Sequence, residues 1–294
     1  MYVDKLLPHK FLMTLVSAAL MVALAACSSS SSSSKKDGDD NGTGDTAYDN
    51  LTDAEMKAVR LAEDFFWIAE QMDAVPGGIA AIVGGVMENE EVTATPQTFS
   101  EGGLSVTISQ VEGVIDAYLS FNNFAADDGV TVVSGSVDVV AEVDGTFGDD
   151  PKEIEFTFSQ VRLDFDDGDS FTVTLNGTVD HVRESDTKFS NTVDITVGYA
   201  GDDYHTNTTV AVEDLGNNVE AKTVSGTYND PVNFGAVTVS TPQAIHDGPG
   251  GAEQGMIRFV FSGGYIEATF ANADLTLSGS YDNVSGHIVT IEDY

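Results

Sequence analysis

The pattern of apolar and polar residues changes near residue 91. Beyond this point apolar residues alternate with polar ones over short runs, as at residues 154–158 and 171–175. This alternation predicts β-strands with one apolar face. Clusters of Asp, Asn and Gly separate the runs and predict tight turns. Further alternating runs lie at residues 104–108, 208–212, 256–261 and 275–277.

One apolar face per strand favours antiparallel pairing, with one side of the sheet buried and the other in water. About ten strands in roughly 200 residues favour a mainly β fold. The sequence therefore predicts a curved antiparallel meander over residues 91–294, arranged either as an open half-barrel or like a sandwich. The unequal spacing of its repeats argues against a solenoid or a propeller.

A weak repeat runs through the predicted strands. In each copy a glycine is followed by Ser or Thr, an apolar or aromatic residue, and Asp or Asn. A glycine inside a strand marks a bulge or a bend, so these positions are expected to curve the sheet. The repeat loosely resembles repeats in uncharacterised lipid-anchored proteins of Gram-negative bacteria, a resemblance that implies no activity. The four glycines are Gly135, Gly177, Gly226 and Gly279.

A helix is predicted ahead of the β-region, within a helical segment at residues 51–90. Thr52 and Glu55 have the spacing of a capping box. Pro76 and the two glycines after it predict its end, so the helix is expected over residues 53–74. Residues 79–87 form a second apolar stretch, which the pattern leaves open between helix and strand.

This predicted helix has one apolar stripe. Its polar face carries acids rather than the basic residues of membrane-surface helices, which favours packing on the β-domain over membrane binding or partner binding. The stripe consists of Ala58, Leu61, Phe65, Ile68 and Met72.

The first 26 residues have the organisation of a secretory signal peptide, with an apolar run over residues 11–24. Leu24-Ala25-Ala26-Cys27 at its end resembles the lipobox of bacterial lipoproteins. The resemblance implies cleavage before Cys27, a diacylglycerol on its thiol and an acyl chain such as palmitate on its new amino group. Ser28, rather than Asp, then implies the outer membrane, on either its periplasmic or its outer face. Residues 27–50, rich in Ser, Asp and Gly, predict a flexible tether.

The chain is strongly acidic, with 48 acidic residues against 12 Lys and Arg and a formal charge of −36. Nucleic acid is therefore excluded as a partner, because phosphate binding needs clustered bases. Charge also opposes adhesion to anionic lipid headgroups. Cys27 is the single cysteine, so the chain has no internal disulfide.

Catalytic motifs are not evident. The four histidines after the signal segment, His181, His205, His246 and His287, lack metal-ligand spacing, and no nucleophile motif is present. One acidic turn is a candidate Ca²⁺ site, although Phe165 stands where a calcium loop needs an oxygen ligand, which favours a hairpin turn with solvated acids. Its acids are Asp164, Asp166, Asp167 and Asp169.

Three functions remain open at this point. The favoured one is a lipid-anchored envelope protein, held at the membrane by its anchor, with a non-catalytic structural or surface-interaction β-domain that meets a protein partner. The first alternative is a carrier for an acyl chain or another apolar ligand, and the second is an unrecognised enzyme. An empty cavity on the apolar face of the sheet would favour the carrier.

Overall fold

The computed structural model describes residues 51–125, 130–146, 151–165, 171–199, 201–248, 251–272 and 274–291. The predicted signal peptide, Cys27 and the tether lie outside these residues. One helix, α1, spans Asp53–Asn89. Fourteen strands follow in the described part of the chain: β1 Gln97–Glu101, β2 Leu104–Val111, β3 Val114–Ala125, β4 Val130–Glu142, β5 Glu153–Phe165, β6 Phe171–Ser185, β7 Lys188–Tyr199, β8 Asp202–Gly216, β9 Val219–Asp230, β10 Gly235–Gly248, β11 Gly251–Phe261, β12 Gly264–Ala271, β13 Asp274–Tyr281 and β14 Val284–Ile291.

The strands form a meander. Their order in the sheet is their order in the sequence, from β1 to β14. Neighbouring strands such as β2 and β3, or β12 and β13, pair antiparallel. The mainly β, antiparallel meander predicted from alternation is therefore confirmed, with more strands than the ten or so expected.

The chain divides into two compact units. The first unit contains the described residues 69–211, and the second contains residues 51–68 and 212–291. In the first unit the apolar positions of the strands are buried in alternation, as along β2, where Leu104, Val106 and Ile108 are buried. In the second unit Ile257 and Phe259 follow the same period. Each apolar stripe seen in the sequence therefore forms a core face.

The capping box is present at the start of α1. The Thr52 backbone N–H donates to Glu55 Oε2 at 2.8 Å, and the Glu55 N–H donates to Thr52 Oγ1 at 3.3 Å. These bonds satisfy two of the donors that a helix start leaves unpaired. The Thr52 hydroxyl also donates to Glu55 Oε2, at 2.7 Å. The Thr52 N–H and hydroxyl together lower the pKa of the Glu55 carboxyl, because its charged form accepts both bonds.

The predicted end of the helix is wrong. The helix continues through Pro76 to Asn89, so the stretch that the pattern left undecided is helical. A proline costs about 3 kcal/mol and a glycine about 1 kcal/mol inside a helix. Four apolar residues at helical spacing beyond them are each at most 7 % exposed, and their burial offsets that cost. They are Ile79, Ile82, Val83 and Val86.

The repeat glycines lie at irregularities of the sheet, as predicted. Gly135 has φ +111°, and the register of β4 against β5 shifts between Ser134 and Ser136, the residues on either side of it. Gly177 has φ +130° and lies at a register shift between β5 and β6. The pairings of β9 with β10 and of β13 with β14 also shift close to Gly226 and Gly279. The repeat therefore marks a recurrent bulge.

Candidate functional site

Aromatic side chains join the N-terminal part of α1 to the sheet in the second unit. The Phe65 ring, 2 % exposed, meets Tyr228 at 6.2 Å and Phe259 at 5.2 Å between centroids. Phe66 meets Phe259 at 6.4 Å and Phe270 at 5.5 Å. All four contacts are edge-to-face, the geometry in which ring quadrupoles attract. The predicted packing of this helix on the β-region is confirmed at Phe65 and Phe66.

A buried tyrosine adds a polar contact at the first turn of the helix. The Tyr281 hydroxyl donates to the Ala54 carbonyl oxygen at 2.6 Å, and the tyrosine is 3 % exposed. Burial, followed by the charges of Glu55 and Asp282, raises the pKa of Tyr281 to about 12. Its hydroxyl therefore stays protonated and remains a donor at physiological pH.

These contacts bear on the question of an apolar binding cavity. In the second unit the apolar face of the sheet meets the rings of Phe65 and Phe66, and Ala58 and Leu61 on the same helix are fully buried. The face is therefore filled by the chain's own side chains where α1 lies on it. The side chains of Ile68 and Met72, the last two members of the predicted stripe, lie outside what the structure describes.

Five of the seven residues that line one depression in the first unit carry a hydroxyl or a carboxylate. The depression has a volume of about 520 Å³ and lies where β6 begins, β7 ends and β8 begins. Hydroxyls and carboxylates on an open surface suit a hydrogen-bonding ligand rather than an acyl chain. The depression is lined by Thr172, Thr174, Gly198, Tyr199, Gly201, Asp202 and Asp203.

Of the candidate Ca²⁺ ligands, only Asp164 is placed. Its Oδ1 accepts a hydrogen bond from Thr172 Oγ1 at 2.7 Å, and Arg162 Nη2 pairs with the same oxygen at 3.2 Å. Asp166, Asp167 and Asp169 lie outside the described residues. In the described part of the chain, no group of three or more His, Cys, Asp or Glu side chains could hold a metal ion. The calcium site therefore stays a prediction.

The four histidines lie apart, each bonded to a different polar side chain. His181 Nδ1 lies 2.7 Å from Asn191 Oδ1, and His205 Nε2 lies 2.9 Å from Asp194 Oδ1. These contacts orient the rings within the sheet and bring no two histidines together. The remaining pairs are His246 with Gln254 at 2.7 Å and His287 with Thr290 at 3.0 Å.

Sequence reasoning missed two acids of the second unit, Asp230 in β9 and Asp64 in α1. Asp230, at the end of β9, is 1 % exposed, and its Oδ1 accepts the backbone N–H groups of Val232 at 2.9 Å and Asn233 at 3.0 Å. Burial, then the charges of Asp230 and Glu63, raises the pKa of Asp64 in α1 to about 6. One indication of a partly buried acid was present in the sequence: Asp64 lies directly before Phe65, at the edge of the apolar stripe.

No protein-family model, no curated protein and no solved structure matches this chain. Within the described residues, no helix has the combination of length and apolar character needed to cross a membrane. The function must therefore be inferred from the residues and contacts of this chain alone.

Proposed function

We propose that this chain is a lipid-anchored protein of the bacterial outer membrane with a non-catalytic structural or surface-interaction β-domain. Cys27 supplies the anchor, because it follows an apolar run and small residues in the arrangement of a lipobox. Two or more acyl chains hold a protein stably at a membrane, whereas one chain binds only marginally. The acidic tether after it then separates the folded region from the bilayer.

One observation carries the choice of a structural domain over a carrier. The rings of Phe65 and Phe66 occupy the apolar face of the second unit, the surface on which an acyl chain would otherwise be bound. A partner would therefore bind to the exposed surface of the β-domain rather than to this apolar face. In the first unit that surface includes the polar depression at Asp202 and Asp203.

The anchor is tested by the substitution Cys27→Ser. We expect this variant to lose its acyl mass and to leave the membrane fraction or stay unprocessed, because the thiol is both the attachment point and the cleavage signal. Membrane fractionation and intact-mass measurement give the result. A matched Ser28→Ala variant should remain lipidated. Wild-type protein in the soluble fraction, cleaved but without acyl mass, would contradict the proposal.

The choice between a structural domain and a carrier is tested by titrating the full chain with a fluorescent fatty acid. We expect no saturable binding at micromolar ligand, because the apolar face is occupied. Saturable binding that Phe65→Ala strengthens would show that the helix and the ligand compete for this face. That result would replace the structural function with the carrier, while leaving the anchor in place.

A further inference from the structure

The depression of the first unit owes its shape to a glycine on the polar face of the sheet. Val173 and Val197 are each 5 % exposed, so Thr174 and Gly198, the next residues along β6 and β7, face the opposite side of the sheet. These two residues are paired across the strands. Because Gly198 has no side chain, a trough lies here between Thr174 on β6 and Asp203 on β8.

The backbone does not require a glycine at position 198. Its φ lies outside the left-handed region, which Gly201 in the following turn does adopt, with φ +93°. A Cβ added at Gly198 would lie 3.3 Å from Asp203 Oδ1 and 3.6 Å from Thr174 Cβ, so a methyl group would fill the trough. A glycine inside a strand weakens it and often marks a close approach. The missing side chain therefore provides space above the strand rather than a special backbone conformation.

The polar groups around the trough are available to a ligand. Thr172 already donates to Asp164 Oδ1, at 2.7 Å. In the part of the chain that the structure describes, the side chains of Thr174, Asp202 and Asp203 make no hydrogen bond or ion pair with another residue. Both of these acids are exposed at the start of β8. A ligand with matching hydroxyls can therefore replace the water around them.

The chemistry of the lining selects the class of ligand. None of the described lining residues is Lys, Arg or His, so no cation is present to bind an anionic ligand. Among the described residues no group of three or more His, Cys, Asp or Glu could hold a metal ion. A carboxylate only accepts hydrogen bonds, whereas a threonine hydroxyl both donates and accepts. The hydroxyls of a sugar match both, while an ammonium group cannot accept from threonine.

We propose that this trough binds a neutral saccharide, as a free sugar or as the end of a glycan chain. The sugar ring lies over Gly198, its hydroxyls donate to Asp202 and Asp203, and one of them accepts from Thr174. A volume of about 520 Å³ is within the range of small-molecule sites. The inference rests on the proposed surface-interaction function, whose ligand it names, and it does not involve the anchor at Cys27.

Saturation-transfer NMR of the full chain tests the site. The probes are the methyl glycosides of glucose, galactose, mannose and N-acetylglucosamine, together with maltotriose and chitotriose. We expect saturable binding of at least one probe at millimolar concentration. A trisaccharide that binds at least threefold more tightly than its monosaccharide identifies a glycan chain, and equal affinities identify a single sugar. Glucuronate and spermidine serve as the anionic and cationic comparison ligands.

Two substitutions in the trough connect binding to this site. Gly198→Ala should weaken binding at least tenfold, because its methyl group occupies the space of the ring, and Thr174→Val should weaken it severalfold by removing a hydroxyl at constant shape. The matched controls are Gly84→Ala, where an added Cβ meets nothing within 4 Å, and Thr238→Val, at an exposed position of the second unit. Both controls should bind as the wild type does.

Three results would overturn the saccharide site: no binding of any neutral probe, wild-type affinity in both trough variants, or tighter binding of spermidine than of every sugar. If Gly198→Ala does not fold, as judged from its unfolding curve, Thr174→Val decides. None of these results changes the outcome expected for Cys27→Ser, so a failure of the saccharide site is distinguishable from a failure of the proposed anchor.

Discussion

At the scale of single residues, the Tyr281 hydroxyl connects the end of β13 to the first turn of α1. It donates to the Ala54 carbonyl oxygen at 2.6 Å. The rings of Phe234 and Phe261 both lie 5.8 Å from the Tyr281 ring and shield it from water. The hydrogen bond therefore forms in surroundings where its loss would not be compensated by solvent.

Tyr281→Phe should lower the free energy of unfolding by about 1 kcal/mol, or more, because the ring stays packed while the hydrogen bond is lost. Urea denaturation at pH 7 measures the change. Tyr118→Phe is the matched control, since Tyr118 is 44 % exposed and its hydroxyl can bond to water. Equal stability of the Tyr281 variant and the wild type would show that this bond contributes nothing.

Local contacts at this scale were predictable, and distant ones were not. Thr52 and Glu55 lie three residues apart, so the sequence alone placed their reciprocal bonds. Asp64 and Asp230 belong to α1 and β9, and only the completed fold lets the charge of Asp230 act on Asp64. Their sequence neighbours carry no common motif, and the chain has too many acids for one pair to stand out.

At the scale of elements, period-two alternation predicted the strands well, because burial follows it residue by residue. The helix end was predicted wrongly because the low helix propensity of Pro76 is only one contribution. The other is the burial of apolar residues after the proline, which the local sequence pattern does not show. Ile82 lies beyond the proline, within the helix, and is only 3 % exposed, so burial outweighed the low propensity of the proline. The function of the sheet's apolar face depended on whether side chains fill it, which only the packing of Phe65 and Phe66 could reveal.

Phe65→Ala should destabilise the protein by about 3–5 kcal/mol, because it removes a buried ring at the centre of the helix–sheet contact. Thermal and urea unfolding measure the effect. Val232→Ala, at a position 58 % exposed in the same unit, should change the free energy of unfolding by less than about 0.5 kcal/mol. A Phe65 variant as stable as the Val232 variant would argue against docking of α1.

Two glycine substitutions should have opposite effects. At Gly177, φ is +130° and an added Cβ would lie 2.8 Å from the Ile195 Cα, so Gly177→Ala should cost about 1–3 kcal/mol. At Gly84 in α1 an added Cβ meets nothing within 4 Å, so Gly84→Ala should stabilise by about 0.5–1 kcal/mol. Unfolding curves compare both with the wild type. Effects of the same sign would contradict the assigned strand bulge or the helix.

At the scale of the whole molecule, excess negative charge dominates. From residue 91 onward the sequence holds only six Lys and Arg residues, so most carboxylates cannot have a cationic partner. Exposed ion pairs contribute little to stability, whereas many small repulsions between surface acids add together. Pairs among the described residues include Lys152–Asp144, Arg162–Asp164, Arg183–Asp186, Lys222–Asp247, Lys222–Glu220 and Arg258–Glu267.

The melting temperature should rise from low salt to 1 M NaCl. The Debye length falls from about 8 Å at 0.15 M to about 3 Å at 1 M, so salt screens the repulsion. CaCl₂ at matched ionic strength should give the same rise, measured against a chelator control. A flat response to NaCl would rule out the repulsion argument. A larger shift with calcium, abolished by Asp166→Asn, would instead establish the acidic turn as a metal site.

The meander has a consequence for the order in which the chain folds. Because each strand pairs with its neighbours in sequence, the sheet can grow as synthesis proceeds from the N-terminus. The N-terminal part of α1 is made before every strand of the sheet, yet the bond from Tyr281 to Ala54 spans 227 positions. The rings of Phe65 and Phe66 therefore stay uncovered until β9, β11 and β12, which carry Tyr228, Phe259 and Phe270, have been made. During that interval the N-terminal part of α1 is open to a chaperone or a protease.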